Sequence, residues 1–189
     1  MTATAPAPSL DAIADEAAAF LTAVFPRWVA PVALVEWGSG FGIGGLLDEE
    51  LGTVALSRLP GMPAGASPAG QAMRLVLGLC GANQVLVCQG RRHLYEGYGV
   101  APCVLPVCAA AKAGIRTIIL LSAAGGVNPE YRPGTVVAVE DYINNLGTSP
   151  LVGPQALGRT YFPAMNAAFS QALISEFVNA TAAVDSETR

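Results

Sequence analysis

Val32-Ala33-Leu34-Val35-Glu36-Trp37-Gly38-Ser39-Gly40-Phe41-Gly42-Ile43-Gly44-Gly45 is the stretch on which the fold turns. The apolar run Val32 to Trp37 reads as a buried strand, and it opens directly into a loop with five glycines in eight residues, Gly38 to Gly45. A structural turn needs one or two glycines, because each adds an entropic cost on folding. Glycines in this number let backbone N–H groups approach a ligand without a Cβ between them, which suits an anion, and phosphate above all.

Working outward, Ser9 is placed to cap a helix through Leu10, Ile13, Ala17, Phe20, Leu21 and Val24, which Pro26 stops. Beyond the glycine loop the pattern predicts a short turn of helix over Leu46 to Leu51 and a strand over Thr53 to Leu56. Pro60 to Gly70 is an irregular loop. Met73 to Cys80 and Gln84 to Cys88 are two strands joined as a hairpin by Gly81-Ala82-Asn83. A helix follows from about Val100 to Ala113, closed by Gly114, then a strand over Ile115 to Leu121 that runs into Ser122-Ala123-Ala124-Gly125-Gly126. Thr135 to Val139 reads as a further strand, Asn144 to Thr160 as a long loop, Ala164 to Ala180 as a helix and Val184 to Arg189 as a polar end. Strands alternating with helices predict an α/β fold with a central mixed, partly parallel sheet flanked by helices. The predicted organisation is a loose tail over residues 1–8, one α/β domain over 9–183 and a polar tail over 184–189.

Composition narrows the classes of function. Hydrophobic residues make up 52% and charged residues 13% of 189 positions, so apolar surface is available to meet another subunit. The net charge of -4 argues against a nucleic-acid partner, whose backbone is bound by clustered Lys and Arg. The most apolar helix-like stretch, Val100 to Gly114, is broken by Pro102 and Pro106, and no run has the length of a membrane span. The first residues lack the basic start and apolar block of a signal peptide, so a cytoplasmic protein is expected. Cys80, Cys88, Cys103 and Cys108 have no Cys-x-x-Cys spacing, which favours buried reduced thiols over disulfides or a metal.

Three polar or glycine-rich loops each follow an apolar strand: Gly38 to Gly45, Gln89 to Tyr98 and Ser122 to Gly126. In open α/β sheets, ligands bind outside the carboxyl ends of the strands, where such loops can converge. They offer the Ser39 hydroxyl and loop amides, Arg91 as a fork for phosphate oxygens and His93 as a further donor. Spacing does not choose between Arg91 and its neighbour Arg92, and a lone histidine beside apolar strands has a purely structural alternative. Gly40-x-Gly42-x-x-Gly45 formally matches a dinucleotide fingerprint, but no Asp or Glu occurs between Leu51 and Tyr95 to hold a ribose. No lysine follows for a Walker loop, and Gly38-Ser39-Gly40 is offset from a nucleophile elbow.

Four segments occur in the same order in the trimeric purine nucleoside phosphorylases: the Gly38-Ser39-Gly40 loop; Gln89-Gly90-Arg91-x-His93-x-Tyr95-Glu96-Gly97-Tyr98; Ala123-Ala124-Gly125-Gly126-Val127-Asn128; and Phe162-Pro163-Ala164-Met165. The chain resembles that family over roughly residues 30 to 170. The resemblance implies phosphate-dependent cleavage of purine (deoxy)ribonucleosides to free base and (deoxy)ribose 1-phosphate, with inorganic phosphate as co-substrate and no cofactor. It implies phosphate contacts from Ser39, Arg91, His93 and the backbone N–H of Ala123, and a ribose contact from Tyr95. Phe162 would reach a neighbouring subunit's ribose in a homotrimer. Glu96 is a supporting residue. Gln71 stands where the family usually has histidine, and Ser122 where it commonly has asparagine. The family also continues beyond the equivalent of Arg189, with the glutamate and asparagine that grip the purine, so a C-terminally shortened phosphorylase fold is expected. The second class of function is a non-catalytic phosphate-binding or assembly relative without the purine pocket.

Overall fold

The computed structural model describes residues 8–38, 44–64, 73–152 and 164–187. Helix α1 spans Leu10–Val24, with the Ser9 hydroxyl accepting from the Ala12 N–H at 3.2 Å, so the predicted cap is in place. Helix α2 spans Ala101–Lys112. Pro102 lies in its first turn, where a missing N–H costs nothing, and Pro106 is carried inside the helix. Gly114, at φ +98°, ends it: Ile115 N–H donates to Ala110 O at 3.0 Å across the left-handed residue, and the Ile115 side chain turns back into the core.

Five strands, β1 (Ala33–Trp37), β2 (Glu49–Ala55), β3 (Arg74–Cys80), β4 (Asn83–Gln89) and β5 (Thr117–Leu121), form one sheet in the order β2-β3-β4-β1-β5. The β2-β3-β4 half is an antiparallel meander, and β1 lies parallel to both β4 and β5. This is the mixed sheet the sequence predicts. Alternation along the strands sorts the core: Leu34, Leu75, Leu77, Leu86 and Cys88 face α1 and α2, while Val35, Trp37, Val76, Val85 and Val87 form a second cluster with Leu46 and Leu47. Ala14, Ala17, Ala109 and Ala110 are fully buried on α1 and α2, and their small side chains let the helices lie close to the sheet and to each other.

Local structure departs from the sequence reading in four places. Glu49 and Glu50, expected in a helical turn, begin β2. The ladder offered by β3 outweighs a helical turn too short to repay its own nucleation. Thr135 to Val139 forms no regular element and joins no ladder among the described residues, and Val136, Val137 and Val139 are exposed. The last helix, α3, spans Gln171–Glu187 rather than Ala164 to Ala180; Ser170 Oγ accepts from Leu173 N–H at 3.4 Å at its start, and the segment expected as a polar end is helical to Glu187. Cys88 is buried as expected, whereas Cys80, at the hairpin end of β3, is exposed.

The chain divides into two units, Met1–Ala123 with Ser149–Tyr161, and Ala124–Thr148 with Phe162–Arg189. The first contains the sheet, α1 and α2. The second holds α3 and turns such as that at Asn128, whose side chain accepts from Glu130 N–H at 3.0 Å, together with an edge-on contact of Tyr142 and Phe169.

Candidate functional site

Parallel pairing puts the carboxyl ends of β4, β1 and β5 on one edge of the sheet, with Trp37 opposite both Gln89 and Leu121. The three loops therefore leave from neighbouring points, as the sequence reading requires. Gly90 N–H donates to Trp37 O at 2.9 Å and fixes the turn out of β4. Arg91 then lies across all three strand ends. Its Nη1 donates to Leu121 O at 3.2 Å, its Nη2 lies against Gly38, where an added Cβ would sit 3.7 Å away, and Nη1 is 3.9 Å from Glu36 Oε1.

Arg92 has a different environment. Only 3% exposed, it donates to Glu96 Oε2 at 2.7 Å and to Pro63 O at 3.1 Å, with its guanidinium over the Tyr98 ring. The two arginines, which spacing does not distinguish, differ in direction: Arg92 ties the loop down, and Arg91 faces the strand ends.

His93 is oriented by Glu96. Glu96 Oε1 accepts from His93 N–H at 2.7 Å and lies 3.2 Å from His93 Nδ1, while the imidazole stacks on Tyr95 at 4.9 Å between centroids. Burial pushes the Glu96 carboxyl up, but hydrogen bonds from Arg92 and His93 outweigh it and hold it below the ordinary carboxylate range. Glu96 is thus an anionic clamp on two basic residues. Tyr95, 77% exposed, presents its ring at the surface of this loop. Ser122 and Ala123 follow β5 directly, next to the carbonyl that Arg91 grips, and both are exposed. Ser39, Gln71 and Phe162 lie outside the described residues.

Glu36 has no role in the sequence reading. It is 4% exposed, and its Oε2 is buried without a hydrogen-bond partner. Burial pushes its carboxyl up to about 7, against the pull of Arg91. A single acid inside the apolar run Val32 to Trp37 is the signal that could have found it, since a carboxyl on a strand buried on both faces needs a partner. Among the described residues, no group of three or more His, Cys, Asp and Glu is arranged to hold a metal ion, and no helix is long and apolar enough to cross a membrane.

The chain matches the model of the phosphorylase superfamily over residues 41–189. It is 37% identical over 161 residues to purine nucleoside phosphorylase 1 of Geobacillus stearothermophilus, covering 84% of this chain and 57% of that protein. To purine nucleoside phosphorylase 1 of Bacillus subtilis it is 38% identical over 164 residues, covering 85% and 59%. Among solved structures, isoform 2 of purine nucleoside phosphorylase from Schistosoma mansoni, in complex with cytosine and ribose-1-phosphate, superposes with a TM-score of 0.79 at 28% identity, over 92% of this chain and 61% of that one. The chain thus spans less than two thirds of the length of these relatives. With its mixed sheet and its three strand-end loops, the chain belongs to the phosphorylase superfamily, where its relatives are purine nucleoside phosphorylases.

Proposed function

We propose that this protein is a purine nucleoside phosphorylase, in which the loops after β1, β4 and β5 hold inorganic phosphate beneath the nucleoside. The observation that carries the reading is the placement of the Arg91 guanidinium across the ends of all three parallel strands. A phosphate oxygen attacks C1′ of the ribose, the bond from C1′ to the purine nitrogen breaks, and its electron pair leaves with the base. The transition state has oxocarbenium character, so a fixed phosphate dianion both stabilises the developing positive charge and supplies the nucleophile. No cofactor is needed for this step.

In this reading, Arg91, Ser39, His93 and the N–H of Ala123 bind phosphate, with Glu96 fixing the His93 ring and Gln71 and Ser122 in supporting places. Tyr95 lies along the ribose, and Phe162 completes the ribose site of the next subunit in a homotrimer. The protein acts in the cytoplasm on small molecules, with no nucleic acid or membrane as partner. Phosphate-dependent release of hypoxanthine from inosine tests the reading. Turnover that requires phosphate and falls at least about a hundredfold in Arg91→Ala is the expected result. Anion binding without turnover at high protein concentration would instead favour a non-catalytic phosphate-binding relative, and unchanged phosphate affinity in Arg91→Ala would remove the site.

A further inference from the structure

Glu36 sits on β1, an interior strand of the sheet between β4 and β5, one residue before its end, with its carboxyl inside the protein. Among the described residues its ionic neighbour is the Arg91 guanidinium, at 3.9 Å, beyond hydrogen-bond reach. Arg91 is itself only partly covered, its side chain 22% exposed, and Nη1 is held by Leu121 O. The guanidinium therefore stands between a buried carboxyl on its inner side and the open strand ends on its outer side.

We propose that Glu36 is a positioning residue that acts through Arg91, so that binding of an anion at Arg91 is coupled to uptake of a proton by Glu36. With the carboxyl ionised, part of the guanidinium charge is neutralised from within and the residue is drawn toward the sheet. With the carboxyl protonated, that charge is free for the anion outside. An arriving dianion raises the cost of a second, buried negative charge on the same guanidinium, so the proton enters as the anion binds. This inference rests on the phosphate site proposed above.

The other groups around Glu36 do not supply such a switch. Cys88, opposite it on β4, is a buried thiol whose titration is pushed well up, first by burial and then by Glu36 itself. Cys103 on α2 is pushed up by burial and by Glu96 and Glu36, and so stays neutral at the same pH. On β5 the facing residue is Leu120, and Lys112 of α2 is bound to Asp11 and Asp15 of α1. Burial with the weak pull of Arg91 places the titration of Glu36 near neutrality, inside the range where the coupling can be read.

Sulfate is the probe, because its charge does not change between pH 6 and 9 whereas that of phosphate does. Calorimetric titration of the chain with sulfate should show affinity falling about tenfold from pH 6 to pH 8.5, with proton uptake at pH 7.5 read from buffers of different ionisation enthalpy. Glu36→Gln should bind at every pH as the unaltered chain binds at pH 6, without proton uptake. Glu36→Leu, which matches the apolar strand, serves if Glu36→Gln does not fold. A pH slope that persists in these variants, or no slope in the unaltered chain, overturns the coupling and leaves the anion site standing. Failure of the unaltered chain to bind sulfate and phosphate, or undiminished binding by Arg91→Ala, overturns the site and the coupling together.

Discussion

Arg92 and Glu96 are both buried and share a bond of 2.7 Å, with Pro63 O and the Tyr98 ring completing the surroundings of the guanidinium. Truncating Arg92 leaves the Glu96 carboxylate without its cationic partner inside the protein. Arg92→Ala is therefore expected to cost about 3 kcal/mol in urea unfolding, the scale for breaking one side of a buried pair. Arg91→Ala should cost far less stability, because its side chain is partly exposed. Glu36 acts in the opposite sense. Its folded-state pKa of about 7 lies above the ordinary 4.5, so the folded protein holds a proton there that the unfolded chain has lost. Stability is then highest below pH 4.5 as far as this group is concerned, and falls as pH rises to 7. Between pH 5 and pH 8 the chain should lose on the order of 3 kcal/mol relative to Glu36→Gln, read as the pH dependence of the difference in their unfolding midpoints. At this scale the sequence was legible in part. Arg91, His93, Tyr95 and Glu96 stand on one loop and could be read as a cluster, but adjacent arginines look alike until the backbone turns one inward. Glu36 could be marked only as an acid inside an apolar run, since the partner that gives it a role is fifty-five positions away in the chain.

Strands β1, β3, β4 and β5 and helices α1 and α2 were readable because their signals are local: apolar runs bounded by glycine, a serine cap, a glycine stop. The hairpin of β3 and β4 lies where Gly81 and Ala82 place it, with Cys80 opposite Asn83. Of β2, Thr53 to Ala55 was read as strand and the first half was missed, because an edge strand takes its conformation from its neighbour and Glu49-Glu50-Leu51 carries no strand pattern of its own. The converse holds for Thr135 to Val139, where a good strand composition meets no partner among the described residues. The β2-β3 pairing also fixes a glycine. A Cβ on Gly78 would lie 2.6 Å from Leu47 Cδ1 and 2.7 Å from the backbone oxygen of Glu49. Because a backbone atom must move, Gly78→Ala is expected to destabilise the sheet by about 1–3 kcal/mol, with a lower thermal midpoint as the measure.

Hydropathy was the whole-molecule signal, and the structure shows where part of it goes. On β5, at one end of the sheet order, Ile119 and Leu120 are 43% and 60% exposed. Among the described residues no strand pairs with its outer side, and an apolar strand with an unpaired side is a template for pairing with another chain. Leu120→Lys should reduce concentration-dependent light scattering of the isolated chain while leaving its circular dichroism unchanged; scattering equal to that of the unaltered chain would mean that this strand does not drive association. The order of the strands has a consequence for synthesis as well. Strand β1 leaves the ribosome before either of its neighbours exists, and its partner β5 follows about 80 residues later. At about 5–20 residues per second, that is a wait of roughly 4–16 s, during which the β2-β3-β4 meander can close through contacts between near neighbours in the chain. The guanidinium that bridges β1, β4 and β5 can take its seat only when the last of them has been made, so that bridge is a late event in the life of the nascent chain, and its appearance reports that the three parallel strands have been joined.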